Sequence, residues 1–561
     1  MASSDVAQVL PKELRLGAPP QMPQARSYMF KQPSTLSSYK SDSQSTIQIN
    51  LPRLQRSYLT KDSYLRFKLS FDFTTSAQAE GVAFDSCGAY GLFDKLEIFD
   101  YLGSTSLESI SGHGQLMALL LDLHTDVVDG STHSAITSGT QGIPIGSTTV
   151  TGLSVTNSTV NTSVTTFPST AGTAVGTLAS SAVGGTSVGE ATTGEVLIPS
   201  GAVSKTRRVT KEYSIPLLSF LGLLSPKFVP LHNGYTIMLT LNTATQAFIT
   251  FSNTTSAATS SPSAYTLYDV NMHCQILELG PVAESMLLSS TGGQPLVVHG
   301  KTFRRYTGTV SGQPEFRIPL NLNVASLTNI LWFMRSKTDV DSAYYPSLGN
   351  RVRGFLQNWY FQYGSSVLPQ TTGIVCMADA PTSAGYNTNT NGVATDYTKL
   401  ATLSCCYKEA YAELTKARHT WNSDNHNTKI NPSNYEWDQN WLSTTTFKNL
   451  TTKTQADLDP YTRYGTGKFA CGLDLELVSG KSNDLISGLN TNGMNTMIAG
   501  RFHPTYYDKQ FLNGPPVATV AEDGGSVLAA GTTKDTLQVD AFAEYDSFVN
   551  ISPGIATTVS F

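Results

Sequence analysis

Apolar and polar side chains alternate with a period of two through much of this chain, and they run the same programme twice. Ile47, Ile49 and Leu51 share one face of a first segment; Leu65, Phe67, Leu69, Phe71 and Phe73 then alternate with Arg66, Lys68, Ser70 and Asp72. A β-strand turns successive side chains to opposite sides, so each segment predicts a strand with one face in a core and one toward water. An aromatic strand follows and ends in a corner, Ile98-Phe99-Asp100-Tyr101-Leu102-Gly103-Ser104, after which Gln115 to Leu123 predict an apolar helix. Tyr235, Ile237, Leu239 and Leu241 form a later face, and Val270, Met272, Cys274 and Ile276 alternate with Asn271, His273 and Gln275.

The second half, after about residue 285, repeats the order. Phe316, Ile318, Leu320, Leu322 and Val324 alternate with polar or Pro positions, and Trp359-Tyr360-Phe361-Gln362-Tyr363-Gly364-Ser365 supplies a second corner. A helix is predicted at about 400–418, with Leu403, Tyr407, Ala410, Leu414 and Ala417 in one stripe and Lys408, Glu409, Glu413 and Lys416 elsewhere. One apolar stripe means one buried face, so this helix should lie against a sheet. Leu473, Leu475 and Leu477, then 537–551, close the half. The prediction is an all-β protein of two similar antiparallel sandwiches in tandem, each interrupted by one helix.

Residues 1–43, with Pro19-Pro20, Pro23 and a Ser-rich stretch, show no periodic face and read as an extended N-terminal arm. The first sandwich is assigned to 44–285, a linker with Gly292-Gly293-Gln294-Pro295 to 286–297, and the second sandwich to 298–561. Within the first, Ser131 to Gly189 holds no Asp, Glu, Lys or Arg. Its β-branched residues suit irregular hairpins packed on neighbours, so 131–206 reads as a long excursion from one end of the sandwich; a disordered Ser/Thr tract is the alternative.

A chain of 561 residues exceeds one hydrophobic core. Its 14% charged residues fall below the usual quarter or so, which predicts surface that ends against other protein, although a secreted β-protein with Ser/Thr loops has a similar composition. The net charge of −5 argues against direct nucleic-acid binding, which needs clustered basic surface. The basic spots at Arg53 with Arg56, Lys205-Thr206-Arg207-Arg208 and Arg304-Arg305 are small enough to be solvated faces or ion pairs. No signal-peptide pattern opens the sequence, and no apolar run approaches the roughly 18 residues of a membrane span. Six cysteines without framework spacing predict free, mostly buried thiols in a reducing compartment.

Catalytic motifs are missing: no nucleophile elbow, P-loop, GxGxxG after a strand, HExxH or paired CxxC occurs. No catalytic, cofactor-binding or metal residue is therefore assigned, and no cofactor is expected. His113 and His124, beside the first helix, read as capping or hydrogen-bonding groups, and at least one of Cys405 and Cys406, which point to different faces of a helix, as buried packing. Asp474 and Glu476 share a strand face and read as its wet side, since a glycosidase acid pair bridges a cleft from separate strands. Asp457 and Asp459 fit no calcium loop, and the sequons at Asn157, Asn161, Asn253, Asn449 and Asn550 are expected by chance in so Asn/Ser/Thr-rich a chain.

Four stretches carry a family likeness: Tyr213-Ser-Ile-Pro-Leu through Tyr235-Thr-Ile-Met-Leu, Ala325-Ser-Leu-Thr-Asn-Ile-Leu-Trp-Phe-Met-Arg, Trp359-Tyr-Phe-Gln-Tyr-Gly-Ser, and Val539-Asp-Ala-Phe-Ala-Glu-Tyr-Asp-Ser-Phe-Val-Asn-Ile. With the tandem sandwiches, inserted helices, excursion and arm, the chain resembles the double jelly-roll major capsid proteins of icosahedral DNA viruses. The Polinton-like virus and virophage group is nearest, and adenovirus-type and giant-virus capsid proteins are more distant. The resemblance implies two vertical jelly rolls and a pseudo-hexameric homotrimer that tiles an icosahedral shell around a DNA genome, without enzymatic activity. Implied partners are other copies of the chain, neighbouring capsomers, and penton and minor capsid proteins; the implied location is the virion, after synthesis in the host cytoplasm or nucleus. The 131–206 excursion departs from the family pattern in length. Two other readings stay open: a carbohydrate-binding or carbohydrate-active sandwich, its sugar site lined by Trp421, Trp437, Trp441, Tyr461 and Tyr464, and a minor or vertex protein of the same type of particle.

Overall fold

The computed structural model describes residues 25–74, 80–85, 87–124, 193–198, 206–224, 228–252, 262–290, 292, 294–311, 315–336, 348–349, 351, 356–370, 373–376, 407–418, 469–476, 487–502, 512–513, 533–534, 536–551 and 558–560. Eight strands build the first sandwich: β1 (Ala25–Pro33), β2 (Thr46–Leu51), β3 (Tyr64–Thr74), β4 (Phe93–Asp100), β5 (Ser106–Ser111), β6 (Thr206–Pro216), β7 (Tyr235–Leu241) and β8 (Thr266–Leu279). Eight more build the second: β9 (Leu296–Ser311), β10 (Glu315–Pro319), β11 (Leu327–Ser336), β12 (Leu356–Tyr363), β13 (Ser366–Leu368), β14 (Cys471–Asp474), β15 (Thr496–Phe502) and β16 (Thr536–Ile551). Helix α1 (His113–His124) follows β5, α2 (Pro281–Ser290) joins the sandwiches, and α3 (Tyr407–Ala417) stands between β13 and β14.

In the first sandwich the sheets run β1-β8-β3-β6 and β2-β7-β4-β5, all antiparallel. In the second they run β9-β16-β11-β14 and β10-β15-β12-β13. Adding eight to each strand number of the first order gives the second. Two four-stranded sheets connected in this order are a jelly roll, so the chain is a double jelly roll with its inserted helix at the same point of each half. Short strands extend this frame: Ser57–Leu59 and Val229–Pro230 lengthen the first sheet, and Glu80–Asp85, Thr193–Ile198 and Phe248–Ser252 form a small separate one.

The alternation in the sequence places the cores. Leu65, Phe67, Leu69, Phe71 and Phe73 of β3 all point inward and are buried, and Phe67 meets Phe93 of the opposite sheet edge-on. In the second half Trp332 of β11 and Trp359 of β12, both fully buried, cross between the sheets with ring centroids 5.3 Å apart. Such T-shaped pairs add to the burial of two large apolar surfaces. Leu320, Leu322 and Val324 continue the inward face beyond the end of β10, their amides satisfied by the carbonyl of Thr496 and the hydroxyls of Thr496 and Thr491.

Both corners are the β4–β5 type of hairpin or its counterpart, β12–β13. At the first, Asp100 accepts the Ser104 and Thr105 amides at 2.7 and 3.0 Å and the Ser104 hydroxyl at 2.8 Å. At the second, Tyr363 pairs with Ser366 across the turn.

One boundary moves. The arm expected over 1–43 is in part a strand: β1 pairs with β8 along nine residues, Ser38–Lys40 continues beside the same strand, and Tyr39 is fully buried. Half-buried Tyr28, Phe30 and Gln32 alternate with exposed Met29, Lys31 and Pro33, a period carried by only two large apolar residues on the inner face. The linker is also more ordered than its Gly/Pro content implied, since α2 fills its first part.

Candidate functional site: the seam between the sandwiches

Strand β16 is buried on both sides. Ala541 lies opposite Trp332, which packs on Phe316 and Trp359, so that side faces the interior. Phe333 lies opposite Asp540, which puts Asp540, Phe542, Glu544 and Asp546 on the outer side of the sheet. An antiparallel sheet commonly shows this side to water. Here all four residues are buried.

A buried carboxylate is tolerated only with partners. Asp540 has two arginines: Arg305 of β9 donates from Nε and an η nitrogen at 3.0 and 2.6 Å, and Arg335 of β11 donates from Nε at 2.7 Å. Burial pushes its pKa up, but the two guanidiniums outweigh this and hold it below the usual carboxylate range. Glu544 is bound by Arg418 at 2.5 Å and by the Asn329 amide. Asp546 takes His299 at 3.0 Å and the Ser326 hydroxyl.

The first sandwich covers this side with α1 and its flanking turns. Asp122, near the end of α1, forms an ion pair with Arg351, and both side chains are sealed from solvent, at 1% and 0% exposure. The Arg351 guanidinium also lies 5.9 Å from the Phe333 ring centre. Arg418, just beyond α3, donates to His124 at 3.0 Å. Asp85 accepts the amides of Leu348 and Gly349 at 2.8 and 3.2 Å. Gly112, in the turn from β5 into α1, has φ of +66°, and a Cβ there would stand 2.5 Å from the Arg305 side chain. Glycine thus serves both the backbone conformation and the passage of Arg305 toward Asp540.

A second fastening holds the linker helix. Glu284 of α2 is buried and accepts the Tyr58 hydroxyl at 2.8 Å, while its other oxygen meets His232 at 2.7 Å. Burial first, and then the neighbouring carboxylate, raise the Tyr58 pKa. Helix α3 packs as its stripe predicted: Leu414 and Ala417 lie against Gly472 of β14.

The structure disperses the other residues of interest. Asp474 accepts the Glu476 amide at 3.0 Å, and the Glu476 carboxylate is tied to Lys301 at 2.7 Å, so the two do not converge on a cleft. Glu476 is also not on a wet face, its side chain being only 10% exposed. His113 is buried at the start of α1 between Tyr90 and Phe93, and His124 pairs with Arg418. Cys87, Cys274, Cys376 and Cys471 are buried. Cys405, Cys406, Asp457, Asp459, Trp421, Trp437, Trp441, Tyr461, Tyr464, Asn157, Asn161, Asn253, Asn449 and most of 131–206 lie outside the described residues. Among the described residues, no group of three His, Cys, Asp or Glu could hold a metal ion, and no helix is long and apolar enough to cross a membrane.

The seam residues were not singled out from sequence. One signal was available: Asp122 is the only charged residue between Gln115 and Leu123, and an isolated charge in an apolar helix needs a buried partner.

His113 gives the first prediction. Burial pushes its pKa down from 6.5 to about 4. Its neutral form contributes stability in full above 6.5, which is lost as pH falls toward 4. Thermal unfolding of His113→Gln across that range should show a shallower acid decline than the parent protein; an unchanged slope would refute the assignment.

No family model matches the chain, and no curated protein matches it. Solved structures do. A chain in the Sputnik virophage structure is 12% identical, with 99% of this chain and 92% of that one covered and a TM-score of 0.49. The mavirus major capsid protein is 8% identical, with 100% and 95% covered and a TM-score of 0.49. The Faustovirus major capsid protein is 9% identical, with 98% and 94% covered and a TM-score of 0.46.

Proposed function

We propose that this protein is a structural major capsid protein that self-assembles as a pseudo-hexameric homotrimer into an icosahedral shell around a DNA genome. The repeat of one jelly-roll order in both halves carries the reading. Three copies of a two-sandwich subunit present six similar bodies, an outline that tiles a hexagonal net. For such tiling the two bodies of a subunit must keep one mutual angle. Buried ion pairs suit that task because their geometry is directional, whereas apolar contact alone tolerates sliding. The mechanism is burial of surface between copies, with no turnover. Partners on this reading are other copies of the chain, neighbouring capsomers, and penton and minor capsid proteins, and the site of action is the virion.

Multi-angle light scattering of the purified full-length chain tests it. The expected species is a trimer of about three times 60.3 kDa, in line with closed cyclic association. Monomer alone at micromolar concentration, at every salt concentration tried, would overturn the proposal.

A further inference from the structure

Along the seam, the edge strand β5 of the first sandwich runs beside the edge strand β9 of the second, and no backbone ladder joins them. Between them sits Glu108 of β5, 4% exposed. The Ser219 hydroxyl donates to its Oε2 at 2.5 Å, and the Phe220 amide donates to the same oxygen at 3.2 Å. Both donors belong to the first sandwich. On the other side stand Thr302 of β9 and, opposite Thr302 in register, Tyr545 of β16. Neither Glu108 Oε1 nor Thr302 Oγ1 closes a hydrogen bond. Every other seam carboxylate described above has an arginine, a histidine or a pair of backbone amides. Among the described residues no arginine, lysine or histidine is hydrogen-bonded or ion-paired to Glu108; Tyr545 faces it from the second sandwich, with Arg304 and Tyr306 of β9 near Tyr545.

A carboxyl so placed has two states with different demands. The neutral acid tolerates a dry site, and the Thr302 hydroxyl offsets only part of the charge that ionisation would leave there. The carboxylate has nothing to donate, and it loses its hydration without a compensating cation. We propose that Glu108 is a protonation-controlled joint between the two jelly rolls: the neutral carboxyl lets β5 and β9 close on each other, and ionisation loosens them. The joint is a property of one chain and does not depend on how copies assemble.

Burial, partly offset by the Ser219, Thr302 and Phe220 contacts, raises the Glu108 pKa from 4.5 to about 7. An acid with a raised pKa stabilises the closed form in full below 4.5, and that contribution is lost as pH rises to about 7. His113 works in the opposite direction over much of the same window, so global stability would mask the effect. A local probe is needed.

Hydrogen–deuterium exchange on the full-length protein, corrected for intrinsic rates, supplies one. In peptides spanning 106–111, 217–222 and 298–304, opening should rise about tenfold per pH unit above 4.5, by about 300-fold in all, and level off near 7. Glu108→Gln, which keeps the shape and cannot ionise, should hold these peptides protected and flat with pH. The proposal is overturned if the variant shows the parent's rise, or if the parent is flat. It is also overturned if 496–502, in the opposite sheet of the second sandwich, rises equally, since that reports global unfolding. Should Glu108→Gln fail to fold, Thr302→Val is the second variant. Loss of the hydroxyl should carry the levelling-off point above pH 7, and an unmoved point would count against the joint.

Discussion

Replacement of Asp540 by alanine should destabilise the protein by about 3–5 kcal/mol, the cost of leaving buried charge without its counter-ion. Two guanidiniums converge on this one carboxylate, which is wholly buried. Removing it leaves Arg305 and Arg335 facing each other across a dry gap. Asp540→Asn should recover only part of the loss, because the amide keeps the volume but not the charge. The triple change to apolar residues of similar size at 305, 335 and 540 should lose much less than Asp540→Ala, since no orphaned charge remains. Chemical denaturation of the three variants checks this, and a loss below about 1 kcal/mol for Asp540→Ala would contradict it. The pH sign is also fixed. A carboxylate held below its ordinary value of 3.8 contributes stability above that pH, and the contribution disappears as acid protonates it in the folded state.

Breaking the Asp122–Arg351 pair should cost a similar amount, about 3–5 kcal/mol, with a different signature. This pair joins α1 of one sandwich to the other sandwich, so Arg351→Ala should uncouple them as well as weaken them. Calorimetry should show the single transition of the parent split in two, with the calorimetric enthalpy exceeding the van't Hoff value. A single sharp transition at the parent midpoint would show that the seam does not depend on this contact.

Much of the architecture was legible in the sequence because burial of one strand face writes itself as alternation. The clean cases are β3, with its five inward apolar residues between Arg66, Lys68 and Asp72, and β7, with Tyr235, Ile237, Leu239 and Leu241. The corners were legible through their glycines: Gly103 and Gly364 both have positive φ. The failures have a common physical origin, which is that long-range partners leave no local period. Strand β1 turns only Tyr28 and Phe30 as large apolar residues toward the core, and the partner that makes it a strand, β8, lies more than two hundred residues later. The carboxylates of β16 alternate with apolar residues as on any half-exposed strand, so Val539-Asp540-Ala541-Phe542-Ala543-Glu544 reads as a core face and a wet face. The wet face is dry because another sandwich lies on it. Seam residues such as Asp85, Glu108 and Arg351 were invisible for the same reason. Each is a single polar side chain whose partner is set by tertiary packing.

The side-by-side edges of β5 and β9 bear on how the chain survives its own synthesis. A bare sheet edge offers unpaired amides and carbonyls to any passing strand, and on β5 and β9 each of those edges is shielded by the other. When the ribosome has delivered the first sandwich but not the second, β5 stands open, with Glu108 and the apolar surface of α1 uncovered beside it. The later half is therefore a built-in chaperone for the earlier one. A truncated chain that ends before β9 would be a seed for aggregation, even though its own strand order is complete.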